Sequence, residues 1–186
     1  MKKLIVKSLL KDRLTFEERA RSVGLQFSPK IWQHERVYLP HDFQPKMGYP
    51  RVLLKTEMRE PNSAPFYILE VRRHVEASGI DIVEATTVGD YTATSALVQQ
   101  LGFRKVAEVT RSRWEATMAA NTAIYLDEIE GMEGTFVKIE VTLEDGASVE
   151  STRKELFEIL KLFGQETFVM QTYAELVREQ MQPYYL

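Results

Sequence analysis

The chain of 186 residues sets 24 Lys and Arg against 27 Asp and Glu, giving a net charge of −3. That balance argues against a nucleic-acid binder or a partner of anionic membranes, both of which favour a basic excess. Its 44% apolar and 27% charged residues read as one globular domain over 1–186, and the lack of cysteine excludes thiol nucleophiles, disulfides and cysteine-held metals.

The opening Met1-Lys2-Lys3-Leu4-Ile5-Val6-Lys7 holds too short an apolar run for a signal-peptide core. No later stretch reaches membrane-spanning length, so a cytoplasmic location is expected. Lys2 to Leu9 is rich enough in alternating apolar residues to predict a first strand. Thr15-Phe16-Glu17-Glu18 has the form of a capping box, with Phe16, Ala20 and Val23 at helical spacing and Gly24 as the stop. Leu25 to Leu39 reads as extended, and Pro40, Pro45, Gly48 and Pro50 mark a loop.

Strands are then predicted over Arg51–Glu57, Phe66–His74 and Ile80–Val88, divided by turns at Pro61-Asn62-Ser63 and Ser78-Gly79. Asp90 caps a second helix carrying Leu97, Val98 and Leu101, and Gly102 ends it. Three more strands follow at Phe103–Trp114, Thr122–Glu128 and Thr135–Leu143. Ser148 to Phe163 is an amphipathic helix stopped by Gly164. A last capping box, Thr172 to Glu175, starts a short helix that Pro183 lies beyond. The expected class is α+β, with about eight antiparallel strands and a few flanking helices.

Parity sorts each strand into two faces. Lys3, Ile5 and Lys7 share a face, as do Arg51, Leu53, Lys55 and Glu57. Glu70, Arg72 and His74 oppose Tyr67, Leu69 and Val71. Arg111 and Arg113 oppose Val106, Thr110 and Trp114, and Lys138 and Glu140 alternate with Val137, Ile139 and Val141. Two accounts fit these rows. They form the wet face of an open sheet backed by helices, or they line a closed barrel, where enclosed cations call for anions such as a phosphate chain.

The order of motifs bears on that choice. Leu101-Gly102-Phe103, Arg111-Ser112-Arg113, Leu126-Asp127-Glu128-Ile129-Glu130-Gly131-Met132, Phe136-Val137-Lys138-Ile139-Glu140 and Gln171-Thr172-Tyr173-Ala174-Glu175-Leu176 follow one another along the second half of the chain. Together they resemble the CYTH family, the triphosphate tunnel proteins that include class IV adenylyl cyclases and thiamine-triphosphatases. The resemblance runs from about residue 2 to residue 177. It implies an eight-stranded antiparallel tunnel that binds a triphosphate or polyphosphate as its small-molecule partner. Lys7, Arg51, Lys55, Arg72, Arg111 and Arg113 would be the phosphate clamp. Asp127 and Glu140 would be catalytic, and with Glu84 they would hold Mg²⁺ or Mn²⁺.

The departures from the family pattern are chemical. The name-giving E-x-E-x-K motif becomes Lys3-Leu4-Ile5-Val6-Lys7, which keeps only its lysine. The first glutamate of F-x-E-x-E becomes Lys138. Mg²⁺ takes hard oxygen ligands, so a two-metal site is not expected, and a lumen richer in lysine favours phosphate without metal. Two readings stay open: a metal-dependent triphosphate hydrolase or adenylyl cyclase, and a binding module without turnover. His34, His41 and His74 lack zinc spacing, and neither a P-loop nor a G-x-S-x-G elbow is present.

Overall fold

The computed structural model describes residues 1–42, 50–60, 63–75 and 79–181. The predicted turn residues Pro45, Gly48, Pro61, Asn62 and Ser78, and Pro183 near the C-terminus, lie outside them. Among the described residues run eight strands: β1 Lys2–Leu9, β2 Ile31–Pro40, β3 Pro50–Met58, β4 Phe66–Val75, β5 Ile80–Val88, β6 Phe103–Ala119, β7 Thr122–Ile129 and β8 Phe136–Leu143. Four helices accompany them: α1 Arg13–Ser22, α2 Tyr91–Gln100, α3 Val149–Leu162 and α4 Tyr173–Met181.

Every strand pairing is antiparallel, and the order β1-β5-β4-β3-β2-β6-β7-β8 closes on itself. Closure removes the open-sheet account, because a closed barrel has an inside. The seam is short: β1 meets β5 only at Lys2↔Ile82 and Lys3↔Asp81. Backbone hydrogen bonds between Met1 and Val83, at 2.8 and 2.9 Å, extend it by one residue.

The apolar core lies outside the barrel wall. Leu4, Val6, Ile124, Leu126, Val137 and Ile139 point outward and pack with Phe16 and Ala20 of α1 and Leu156 and Leu160 of α3. Phe16 meets Phe163 with ring centroids 4.9 Å apart. A second cluster joins the outward Tyr38, Val52 and Leu54 to Val98 of α2, and the Tyr38 hydroxyl lies 2.8 Å from Ser95 Oγ. Burial of these faces stabilises the wall from without, which leaves the inward faces free to be polar.

Most boundaries fall where the sequence places them. Asp90 and Ser148 cap α2 and α3, and Thr172 and Glu175 exchange the two reciprocal bonds of a capping box at α4. Three differ. α1 starts two residues before Thr15, because the Asp12 carboxylate accepts from Leu14 N at 2.9 Å while the Thr15 hydroxyl donates to it. An anionic cap is the stronger acceptor for the free N–H groups. β2 begins at Ile31 rather than Leu25, and β6 continues past Trp114 to Ala119, where it turns into β7. Among the described residues no helix is long and apolar enough to cross a membrane.

Candidate functional site: the barrel lumen

The register brings the charged rows together inside the barrel. Lys7 stands opposite Lys138, Ile5 opposite Glu140, Arg51 opposite Arg72 and Arg113 opposite Asp127. All six residues of the expected phosphate clamp, Lys7, Arg51, Lys55, Arg72, Arg111 and Arg113, therefore face one lumen. Lys3 and Lys138 join them.

The lumen is less bare of acid than the parity lists imply. Glu35, Glu70 and Asp81 also point inward, and each is shared between cations. Glu70 accepts from Lys55 Nζ at 2.6 Å and from Arg72 Nε. Glu35 lies 3.3 Å from Arg111 and 3.9 Å from Lys55. Asp81 is 3.5 Å from Arg51, 3.6 Å from Arg72 and 2.8 Å from His74 Nδ1. Glu140 accepts from Lys3 and, at 3.0 Å, from Lys138. Further along, Glu57 takes a 2.6 Å bond from Gln33 and lies 2.8 Å from Arg59.

Asp127 is the most enclosed member, fully buried, with Arg113 donating to both its oxygens at 2.6 and 2.7 Å. The Tyr173 hydroxyl donates a third bond at 2.9 Å. Tyr173 is the first residue of α4, and it packs with Phe136, Ile129 and Val109 at one end of the lumen. There Lys7 donates to the Gln171 carbonyl and sits 5.2 Å from the Tyr173 ring centre. α4 thus covers that end of the barrel.

Glu84 is corrected. It stands on the outer wall opposite Val71 and is exposed, while Asp81 and Val83 take the inward positions of β5. The turn before β5 does not fix its phase, and a one-residue slip exchanges the two faces. The lumenal acids Glu35, Glu70 and Asp81 were missed as site residues. Glu70 carried a signal in the parity of β4, and Glu35 would have needed the parity of β2.

The electrostatics follow from burial set against pairing. Burial works to raise the Glu70 carboxyl, but Lys55 and Arg72 outweigh it and bring the pKa to about 2 from an ordinary 4.5. Asp127 is likewise held far below the usual carboxylate range by Arg113 and Arg111 against its burial, and Glu140 by Lys138, Arg72 and Lys3. Burial lowers Lys138 to about 7 despite Glu140, and Lys7 to about 8 despite Glu175.

These depressed carboxyls fix the sign of an acid transition. A group bound more weakly by protons in the folded state contributes stability above its unfolded pKa and loses it as pH falls through the folded one. Glu70 alone corresponds to about 3 kcal/mol across this interval. The urea midpoint is expected to stay level from pH 7 to 5 and to fall steeply from 4.5 toward 2. A midpoint unchanged between pH 4.5 and 3 would mean the lumenal pairs contribute nothing to folding.

The donor set does not fit a divalent metal. Both Asp127 oxygens are taken by Arg113 and Tyr173, both Glu140 oxygens by ammonium groups, and Glu84 is on the other side of the wall. Among the described residues no group of three or more His, Asp or Glu stands close enough to hold an ion. The expected Mg²⁺ or Mn²⁺ site is therefore not formed by the residues assigned to it, because Lys3 and Lys138 turn Glu140 into an ion-pair acceptor.

The CYTH domain profile matches residues 52–173, from β3 to the first residue of α4. The chain belongs to the CYTH family. No curated protein matches it at a significant level. Solved structures share the barrel. The PH1819 protein of Pyrococcus horikoshii OT3 is 20% identical, with a TM-score of 0.82 covering 96% of this chain and 99% of that one. Hippeastrum HpAC1, a proposed adenylyl cyclase with a dominant triphosphatase activity, is 13% identical at a TM-score of 0.59, covering 98% and 96%. A chain of the Schizosaccharomyces pombe Mediator head module is 13% identical at 0.64, covering 91% and 100%. At these identities the likeness is one of fold, and this CYTH domain's chemistry has to be read from its own lumen.

Proposed function

We propose that this CYTH domain binds a linear triphosphate or polyphosphate in its lumen, with Lys3 and Lys138 supplying charge that a metal would otherwise provide. The observation that carries the reading is the sharing of acids. Glu140 serves two lysines, Glu70 serves Lys55 and Arg72, and Glu35 serves Arg111 and Lys55, so each carboxylate leaves donor capacity over. Lys has three donors and Arg five, and phosphate oxygens accept them in short charge-assisted bonds. An entering phosphate chain competes with these carboxylates for cations already oriented toward the axis, so little has to move to receive it.

The binding-module reading is favoured over turnover because the acids assigned to catalysis, Asp127 and Glu140, are tied to cations. The test is phosphorus NMR of the protein with tripolyphosphate and with ATP, first in EDTA and then with Mg²⁺ or Mn²⁺ added stepwise. Shifted or broadened phosphate lines in EDTA without turnover are expected. Arg111→Ala, which removes a guanidinium shared between Gln33 and Glu35, is expected to weaken tripolyphosphate roughly 10-fold or more. Sharp, unshifted lines throughout would end the phosphate reading. Release of orthophosphate or a cyclic nucleotide on metal addition would establish the enzyme reading in its place.

A further inference from the structure

The inward row of β4 changes character along its length. Glu70 and Arg72 stand among the lumenal charges, and Ile68 and Phe66 precede them on the same face. Tyr67 fixes the phase, because its ring lies 5.5 Å from that of Tyr91 in α2, on the outer wall. Phe66 therefore points inward, across from Glu57 of β3, and yet it is 55% exposed. An inward ring is exposed to that extent only where the barrel opens. The seam supplies the opening, since β1 reaches β5 only at Asp81, Ile82 and Val83. From Glu84 onward β5 is paired with β4 alone, and its inward Ala85 and Thr87 are exposed beside Glu70 and Ile68. β3 runs from Arg51 beside α4 to Glu57 here, so this mouth is the end opposite α4.

Phe66, Ile68, Ala85 and Thr87 make a mostly apolar shelf at that mouth, and the charges beside it do not call for phosphate. Glu57 accepts from Gln33 at 2.6 Å and lies 2.8 Å from Arg59, which also reaches Glu115 at 2.9 Å. Two carboxylates thus hold one guanidinium. The phosphate-clamp cations begin deeper: Lys55 stands opposite Ile68, and Lys55 and Arg72 meet at Glu70. At about 3.3 Å per residue, Glu70 is about 13 Å along β4 from Phe66. A bare phosphate chain gains nothing from the shelf. A triphosphate that carries a planar organic group gains at both ends.

Resting on the lumenal phosphate reading, we propose that this shelf is a nucleobase subsite, which makes the ligand class of the lumen a nucleoside triphosphate. Phe66 is the residue that confers the preference, by stacking its ring on the base while the ribose leads the phosphates inward to Lys55 and Arg72. Every base offers a face to such a ring, so the shelf selects for a base over none rather than for one base among several.

The experiment is calorimetric titration of the full chain with ATP, methyl triphosphate and tripolyphosphate, all in EDTA. The two esters carry the same triphosphate and differ only in the group attached to it. The wild type is expected to bind ATP roughly 10-fold more tightly than methyl triphosphate. In Phe66→Ala, checked for an unchanged melting temperature, that gap should shrink at least about fivefold while methyl triphosphate and tripolyphosphate affinities hold. Phe66→Trp offers a larger ring at the same place and should keep or widen the gap, which tests the shelf even where the alanine variant is unstable. Equal affinity for ATP and methyl triphosphate in the wild type would overturn the inference. So would an undiminished gap in Phe66→Ala, or a gap lost in a folded Phe66→Trp. If tripolyphosphate binds and the base adds nothing, only this inference falls. If tripolyphosphate does not bind, the lumenal reading falls and carries this one with it.

Discussion

Asp127→Ala is expected to cost about 3–5 kcal/mol of folding stability, the usual effect of removing one partner from a buried ion pair. The size follows from what is left behind. Arg113 is 7% exposed and cannot shed its proton to escape, so its guanidinium would stay charged and lose both short bonds. The Tyr173 hydroxyl would lose its acceptor as well, and α4 would lose its deepest attachment to the barrel. Asp127→Asn keeps the shape and one acceptor, and should fall between the two. The measurement is urea denaturation of both variants in EDTA, paired with hydrogen exchange over residues 173–177. A metal-ligand role makes the opposite prediction, because removing a ligand leaves the metal-free protein as stable as before. Wild-type stability of Asp127→Ala in EDTA would therefore overturn the structural role and return Asp127 to the metal.

The contrast between Asp127 and Glu84 shows how far local pattern carries. Within a strand, side-chain direction follows from parity, so the inward rows Lys3-Ile5-Lys7, Arg111-Arg113 and Lys138-Glu140 could be drawn from sequence alone. Parity leaves one bit open per strand, namely which face is inside. In β1 and β8 the outward residues Leu4, Val6, Val137 and Ile139 settle it, because they have to be buried under α1 and α3. β5 offers no such contrast. Its outward Glu84 and Thr86 are exposed and its inward Val83 is buried, so the best acid by sequence proved to be the wrong one.

What the sequence could not express at all is pairing over distance. Lys3 and Glu140 are 137 residues apart, and their bond exists because β1 and β8 are neighbours only in the closed barrel. Sequence reading therefore saw cations and inferred a vacancy for anions. The folded chain supplies many of those anions itself, through Glu35, Glu70 and Asp81. The consequence bears on the proposed binding: a phosphate chain entering this lumen would compete with internal carboxylates for cations they already hold. Barrel closure also explains why the core had to move outside. With the lumen given over to charge, only helices on the outer wall can bury the apolar faces of the strands.

Lys138→Glu tests that competition directly, and it is expected to reduce tripolyphosphate affinity in EDTA by roughly 10–100-fold. Lys138 is buried, its ammonium 3.0 Å from Glu140 and 4.4 Å from the Tyr125 ring centre. Burial lowers it to about 7, so near neutrality its positive charge is only partly present and a bound phosphate chain draws a proton onto it. Binding at pH 8 should accordingly take up protons, seen as a dependence of the calorimetric heat on the buffer's ionisation enthalpy. The glutamate variant removes this charge and places an acid two residues from Glu140 on the same inward face. Such a pair is a hard-oxygen donor set of the kind Mg²⁺ and Mn²⁺ take. Adding metal should then recover part of the lost affinity. Lys138→Met is the control for simple damage, since it should weaken binding without metal rescue and need not add a buried negative charge. Wild-type affinity is expected to be the same with and without metal. A wild-type protein that binds tripolyphosphate only when metal is present would overturn the lysine-for-metal reading. So would a Lys138→Glu variant that binds in EDTA as tightly as its parent.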